Sequence, residues 1–117
     1  MGVEGGRGEA AGSAPVGAVD HLPVELKATT REFLKALTSP TRQRIMLLFA
    51  RGAELSVGEV AEQVGIGQST ASEQLAALRR GGIVTSRREG KIVLYRSDRD
   101  GALEVLADLQ EYLRTCC

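Results

Sequence analysis

The sequence predicts a mainly α fold with one small β-hairpin, and three observations carry that expectation. Apolar residues recur at helical spacing in separate stretches along the chain. Start and stop signals fall at the joints between those stretches: Ser39-Pro40, Ser56 with Glu59, and Gly81-Gly82. Residues 83–96 break the helical pattern with two β-rich segments about Glu89-Gly90-Lys91. The expected order is α1-α2-α3-α4-hairpin-α5.

Each element has its own signal. A first helix is expected over 23–37, with Pro23 in its first turn and Leu26, Phe33 and Leu37 as its stripe. Ser39 then serves as N-cap and Pro40 as first residue of a second helix, which turns Ile45, Leu48 and Phe49 inward and ends near Gly52. Residues 53–55 allow only a bridge strand. Ser56 and Glu59 have the spacing of a capping box and open a short third helix whose apolar face is Val57, Val60, Ala61 and Val64. Gly65-Ile66-Gly67 makes a tight turn, because glycine tolerates positive φ. A fourth helix follows over 68–80, with Leu75 and Leu78 inward. Strands over 83–88 and 92–96 form the hairpin. A last helix over 98–115 carries the stripe Leu103, Leu106, Leu109 or Gln110, and Leu113.

Length and composition bound the rest. At 117 residues the chain is one domain, divided here into a Gly/Ala-rich tail over 1–19, expected to be disordered, and a folded unit over 20–117. Aromatics make up 3 % and Trp is absent, so Leu, Val, Ile and Ala must build the core. Formal net charge is zero, yet the distribution is uneven. Residues 40–96 hold nine Lys/Arg against five Asp/Glu, a balance of +4, while 97–117 stand at −3 and 1–39 at −1. A basic centre between acidic ends fits a segment that meets nucleic acid. No apolar run reaches the ~18 residues of a membrane span, and the first 20 residues lack the apolar stretch of a secretory signal. Two cysteines do not make a disulfide framework. A cytoplasmic location, without membrane association, is expected.

Function is argued from the short Gly turn between the third and fourth helices. Two helices so joined are a helix-turn-helix, whose second member offers short polar side chains to DNA from its first turns. Gln68, Ser69, Thr70, Ser72 and Gln74 meet that need: Gln pairs with adenine, and Ser or Thr with several bases or with phosphate. A solvated helix start would read the same way in isolation. The hairpin decides, because Arg87, Arg88 and Lys91 put three cations near one tip, as a wing against the phosphate backbone would need. Paired arginines on an edge strand also guard against aggregation, but polar helix followed by basic hairpin is more specific than either. The fold class is thus a winged helix-turn-helix. Nothing resembles a nucleophile–base pair or a phosphate loop, so no enzyme is expected.

Residues 36–45 (ALTSPTRQRI), 54–61 (ELSVGEVA), 67–84 (GQSTASEQLAALRRGGIV) and 87–96 (RREGKIVLYR) together resemble the ArsR/SmtB family, and the likeness covers roughly 33–97. The resemblance implies a homodimeric repressor that leaves a double-stranded DNA operator when an inducer, often a metal ion, binds. It implies DNA contacts at Gln68, Ser69, Thr70, Ser72 and Gln74, with the wing on the backbone or minor groove. Glu73 departs from the pattern, since family members often carry a basic residue there; a carboxylate lowers affinity for phosphate or accepts from cytosine.

The inducer is less legible. Relatives with thiolates at the start of the third helix have them where Ser56 and Gly58 stand, so that site is absent. Relatives with a site along the last helix use Asp and His pairs; Asp98, Asp100 and Glu111 lie near such places without the histidines, and carboxylates alone suit hard divalent ions. His21, the single histidine, is a further candidate, as are Cys116 and Cys117 for a soft metal or for oxidation. A solvated acidic face, a solvated histidine and a frayed thiol tail are the plainer readings of these residues and the ones the sequence favours. Leu26, Leu103, Leu106 and Leu113 are expected to form the dimer interface, being apolar stripes outside the helix-turn-helix core. Two other readings stand beside the regulator: a winged-helix protein-interaction module with little DNA binding, and a thiol redox-responsive regulator using the terminal cysteines.

Overall fold

The computed structural model describes residues 25–117. The expected tail over 1–19, the domain start at 20 and His21 lie outside the described residues. Five helices and a three-stranded antiparallel sheet follow one another: α1 (Ala28–Leu37), α2 (Pro40–Leu48), a 3-10 turn (Ala50–Gly52), β1 (Leu55–Ser56), α3 (Val57–Val64), α4 (Gln68–Arg80), β2 (Val84–Glu89), β3 (Ile92–Ser97) and α5 (Arg99–Cys116). This is the winged helix-turn-helix that the sequence predicts.

The joints follow local chemistry. The Ser39 hydroxyl accepts from the Arg42 N–H at 3.2 Å, and Pro40 occupies the first turn of α2, where its missing N–H costs nothing. At α3 the capping box is complete: Ser56 Oγ accepts from the Glu59 N–H at 3.2 Å, and Glu59 Oε1 accepts from the Ser56 N–H at 2.8 Å. Gly65 closes α3 in the left-handed region. Asp98 caps α5, accepting from the Gly101 N–H at 3.0 Å.

The hairpin strands and the last helix shift by about one residue, to Val84–Glu89, Ile92–Ser97 and Arg99–Cys116, and three other boundaries differ from expectation for a visible reason. Helix α1 starts at Ala28 rather than at Pro23, because Lys27 is extended and its N–H is taken by the Asp108 carboxylate at 3.1 Å. The same oxygen accepts from the Thr30 hydroxyl at 2.6 Å, so a residue of α5 caps α1. Helix α2 ends at Leu48, and the chain reaches Gly52 through the 3-10 turn, with Arg51 itself at φ 63. Strand β1 is Leu55–Ser56 rather than 53–55, fixed by the pairs Leu55↔Tyr95 and Ser56↔Leu94.

The sheet order is β1-β3-β2. Strands β2 and β3 form the hairpin, closed by the pair Glu89↔Ile92 about Gly90-Lys91, with Gly90 at positive φ. The core gathers Phe33 and Ala36 of α1, Ile45 of α2, Phe49, Val60 and Ala61 of α3, Ala71, Leu75 and Leu78 of α4, and Ile83 and Val84. Helix α5 gives it Val105 alone. Gly81 is where α4 meets α1: a Cβ there would stand 2.9 Å from Phe33 Cα.

Candidate nucleic-acid interface

Ala71, Leu75 and Leu78, spaced at i, i+4 and i+7, anchor α4 in the core. That anchoring turns Gln68, Ser69, Thr70, Ser72 and Glu73 to solvent. The N-cap, Gly67, has no side chain to bond the first backbone N–H groups of α4, which therefore lie open at the helix start. Gln68 lies over the start of α3, its Nε2 3.8 Å from where a Cβ on Gly58 would be. A cleft of about 390 Å³ runs from there to the hairpin, lined by Ser56, Val57, Gly58, Gln68, Lys91, Ile92 and Val93. Helix start and wing thus share one surface.

Gln74 differs from its neighbours. It is half-buried, and its Oε1 accepts from Arg42 Nη1 at 2.9 Å. Arg42 also donates to the carbonyls of Lys35 and Ala36 at 3.1 Å each, the last carbonyls of α1.

The wing cations separate into two kinds. Arg88 and Lys91 are exposed and make no ion pair among the described residues. Arg87 forks onto Glu54, with Nε to Oε2 at 2.8 Å and Nη2 to Oε1 at 2.9 Å, and reaches Glu89 at 3.0 Å. These bonds hold the Glu54 carboxyl below its ordinary range and push the Arg87 guanidinium higher still. Sequence reasoning passed over Arg79. It stands seven residues after Ser72 on the same face of α4 and lines, with Ser72, Ala76, Arg80 and Tyr95, a cleft of about 350 Å³. The signal was the i, i+7 spacing. Arg80 beside it is paired with Glu32 at 3.6 Å.

The candidate metal residues stand apart from one another. Asp98 is engaged as the α5 cap, Asp100 is exposed, and Glu111 pairs with Arg114 at 3.5 Å. Cys116 and Cys117 are exposed free thiols with their Sγ atoms 3.0 Å apart, and this contact raises the Cys116 thiol above its ordinary range. Among the described residues of one protomer, no three His, Cys, Asp or Glu side chains converge as a metal site. At α3 the residues do not fit a soft ion: Ser56 Oγ is occupied by the cap and Gly58 has no side chain.

Of the expected interface residues, Leu103, Leu106 and Leu113 are 51 %, 50 % and 48 % exposed, and Leu26 is half-buried. Leu34 of α1 is exposed as well, at 37 %. Among the described residues no helix is long and apolar enough to cross a membrane.

Comparison with known proteins places this geometry. The family described as a helix-turn-helix domain matches residues 37–87. The biofilm growth-associated repressor of Agrobacterium fabrum is 37 % identical over 98 residues, covering 84 % of this chain and 80 % of that protein. The repressor of the same description from Xylella fastidiosa is 48 % identical over 63 residues; the match covers 54 % of each, so it spans about half the length of that relative. Among solved structures, a homodimeric winged helix-turn-helix DNA-binding domain from Mycobacterium bovis, described as a possible ArsR-family transcriptional regulator, superposes with a TM-score of 0.59 at 29 % identity. It covers 91 % of this chain and 92 % of that one.

Proposed function

Because this chain belongs to the ArsR family of helix-turn-helix transcriptional regulators, we propose that it is a homodimeric repressor that binds an inverted-repeat DNA operator. The observation that carries the proposal is the cleft joining Gln68, at the open start of α4, to Lys91 of the wing, with Ser69, Thr70 and Ser72 exposed nearby on α4 and Arg88 exposed on the wing without an ion pair among the described residues. In this reading the first turns of α4 enter the major groove and the wing cations lie on phosphates. Two protomers joined through α1 and α5 present two such helices about 34 Å apart, to successive turns of the duplex. The half-exposed leucines of α5 supply the apolar area that joining requires. The protein works where the chromosome lies, in the cytoplasm, as a regulator and not an enzyme.

An inducer that releases DNA is part of the proposal. The thiolate position at α3 cannot supply its site. The candidate donors are Asp98, Asp100 and Glu111 for a hard ion, of which Asp98 and Glu111 would have to leave the partners they hold here, Cys116 with Cys117 for a soft one, and His21 outside the described residues. Titration of the protein with a selected inverted repeat and with random DNA, at two salt concentrations, tests the reading. Expected are a strong preference for the repeat and a steep salt slope. Glu73, exposed on the outer face of α4, favours the interaction-module reading instead, which predicts weak, sequence-indifferent binding.

A further inference from the structure

We infer that Arg42 is a positioning residue for sequence reading, because it locks the Gln74 amide so that this residue offers DNA a hydrogen-bond donor and no acceptor. The inference rests on the DNA-binding reading above and names the chemistry of one of its contacts.

A guanidinium carries five N–H donors and no acceptor. The Gln74 atom 2.9 Å from Arg42 Nη1 is therefore the amide oxygen, whichever way the amide might otherwise be turned. Arg42 is itself immobilised. Its Nε and Nη2 donate to the carbonyls of Ala36 and Lys35, and its backbone N–H donates to the Ser39 hydroxyl. Those two carbonyls lie at the C-terminus of α1, where the helix dipole favours a cation. The guanidinium sits where α1 ends, α2 begins and the second turn of α4 passes, and each of its three nitrogens has a partner. Gln74 is only partly exposed, and its Nε2 has no acceptor among the described residues.

A glutamine free to turn pairs with adenine through both arms of its amide, donating to N7 and accepting from the N6 amino group. At Gln74 the accepting arm is occupied. Its second lone pair would bring a base amino group up against the guanidinium, donor facing donor. What remains is a donor aimed at an acceptor atom on DNA: a phosphate oxygen, or guanine O6 or N7, thymine O4 or adenine N7 on a base edge. Gln68, whose oxygen has no such partner among the described residues, keeps both arms, so the two glutamines of this helix have different chemistry.

The test selects operators from a randomised inverted-repeat library with wild type, Gln74→Glu and Arg42→Met. Gln74→Glu keeps an acceptor for Arg42, so its folding is checked by thermal melting, and it removes the donor. It is expected to weaken the wild-type operator by about tenfold or more. If the acceptor is on a base, the preference at one symmetry-related pair of positions moves toward a base amino group; if it is a phosphate, all sequences weaken alike. Arg42→Met is expected to shift the preference at the affected pair toward adenine over guanine in the first case, because both arms of the Gln74 amide are then free to pair. In the second it is expected to lower affinity for every sequence without lowering the salt slope. Should that variant fail to fold, Arg42→Lys, which cannot make all three side-chain bonds, is read in the same way. Gln74→Glu binding as tightly as wild type overturns the inference. Arg42 variants with wild-type affinity and preference overturn the positioning role. A wild-type protein that selects no inverted repeat sinks the DNA-binding reading itself, whereas selection by wild type with a neutral Gln74→Glu sinks the inference alone.

Discussion

The wing offers a prediction whose size can be worked from the ion pairs. Arg88 and Lys91 make no ion pair among the described residues, so in a dimer two wings would bring four such cations to the backbone. Each phosphate neutralised contributes about 0.9 to the slope of log affinity against log salt. Replacing both residues by Ala should therefore lower the slope by about 3.6. Between about 50 and 200 mM salt, a span of about 0.6 logarithmic units, wild type should lose about 150-fold more affinity than the double variant. Arg87 is held by Glu54 at 2.8 and 2.9 Å and by Glu89 at 3.0 Å, so a phosphate would have to displace two carboxylates to reach it. Arg87→Ala alone should change the slope by well under one unit, while weakening binding to every sequence. Fluorescence anisotropy with a labelled duplex at four or five salt concentrations measures these slopes. An Arg87→Ala loss as large as that of Arg88→Ala or Lys91→Ala would refute the reasoning, since the ion pair would then be opening on DNA.

Three further outcomes are expected. Gly81→Ala puts a methyl group against the backbone of Phe33 and should cost about 1–3 kcal/mol in urea unfolding, with wild-type stability as the contrary result. The Asp108 carboxyl is held below its ordinary range, first by the Thr30 hydroxyl and then by the Lys27 N–H. Its folded-state pKa is depressed, so its contribution is full above the unfolded value of about 3.9 and is lost as pH falls through the folded one. Asp108→Asn should flatten that acid limb in unfolding measured from pH ~5 downward, and identical limbs would remove this cap from the account. Leu106→Glu with Leu113→Glu should dissociate the dimer in sedimentation. Burying the exposed half of each leucine is worth about 1 kcal/mol, about 4 over two protomers, and a wild-type protein already monomeric at tens of micromolar, roughly, would contradict the interface.

What the sequence made legible was local. Ser39-Pro40, Ser56 with Glu59, and the Gly81-Gly82 stop act within four residues of themselves, and each stands where its pattern places it. The outward face of α4 followed from the same logic, because Leu75 and Leu78 fix its rotation. What the pattern could not carry was partnership across the chain. The start of α1 depends on Asp108, 78 residues beyond Thr30. Arg87 reads as a free cation until Glu54, 33 residues upstream, is brought beside it. Gln74 reads as an unencumbered reader until Arg42 arrives from 32 residues away. Charge and polarity can be counted along a sequence, but which polar groups are already satisfied is decided by the fold.

Ser56 belongs to two structures at once: it pairs with Leu94 in the middle strand of the sheet, and its hydroxyl opens α3. The wing root and the first helix of the helix-turn-helix are therefore welded at one residue, with no hinge between them. A head that keeps this geometry on DNA would act as a caliper of fixed gauge, its two jaws being the tip at Gly90-Lys91 and the start of α4. A duplex whose groove is too wide or too narrow for that gauge must itself deform to fit, and how cheaply it does so depends on its base steps. With DNA bound as proposed, operators would be discriminated partly at positions no side chain touches, by the stiffness of the DNA held between the jaws.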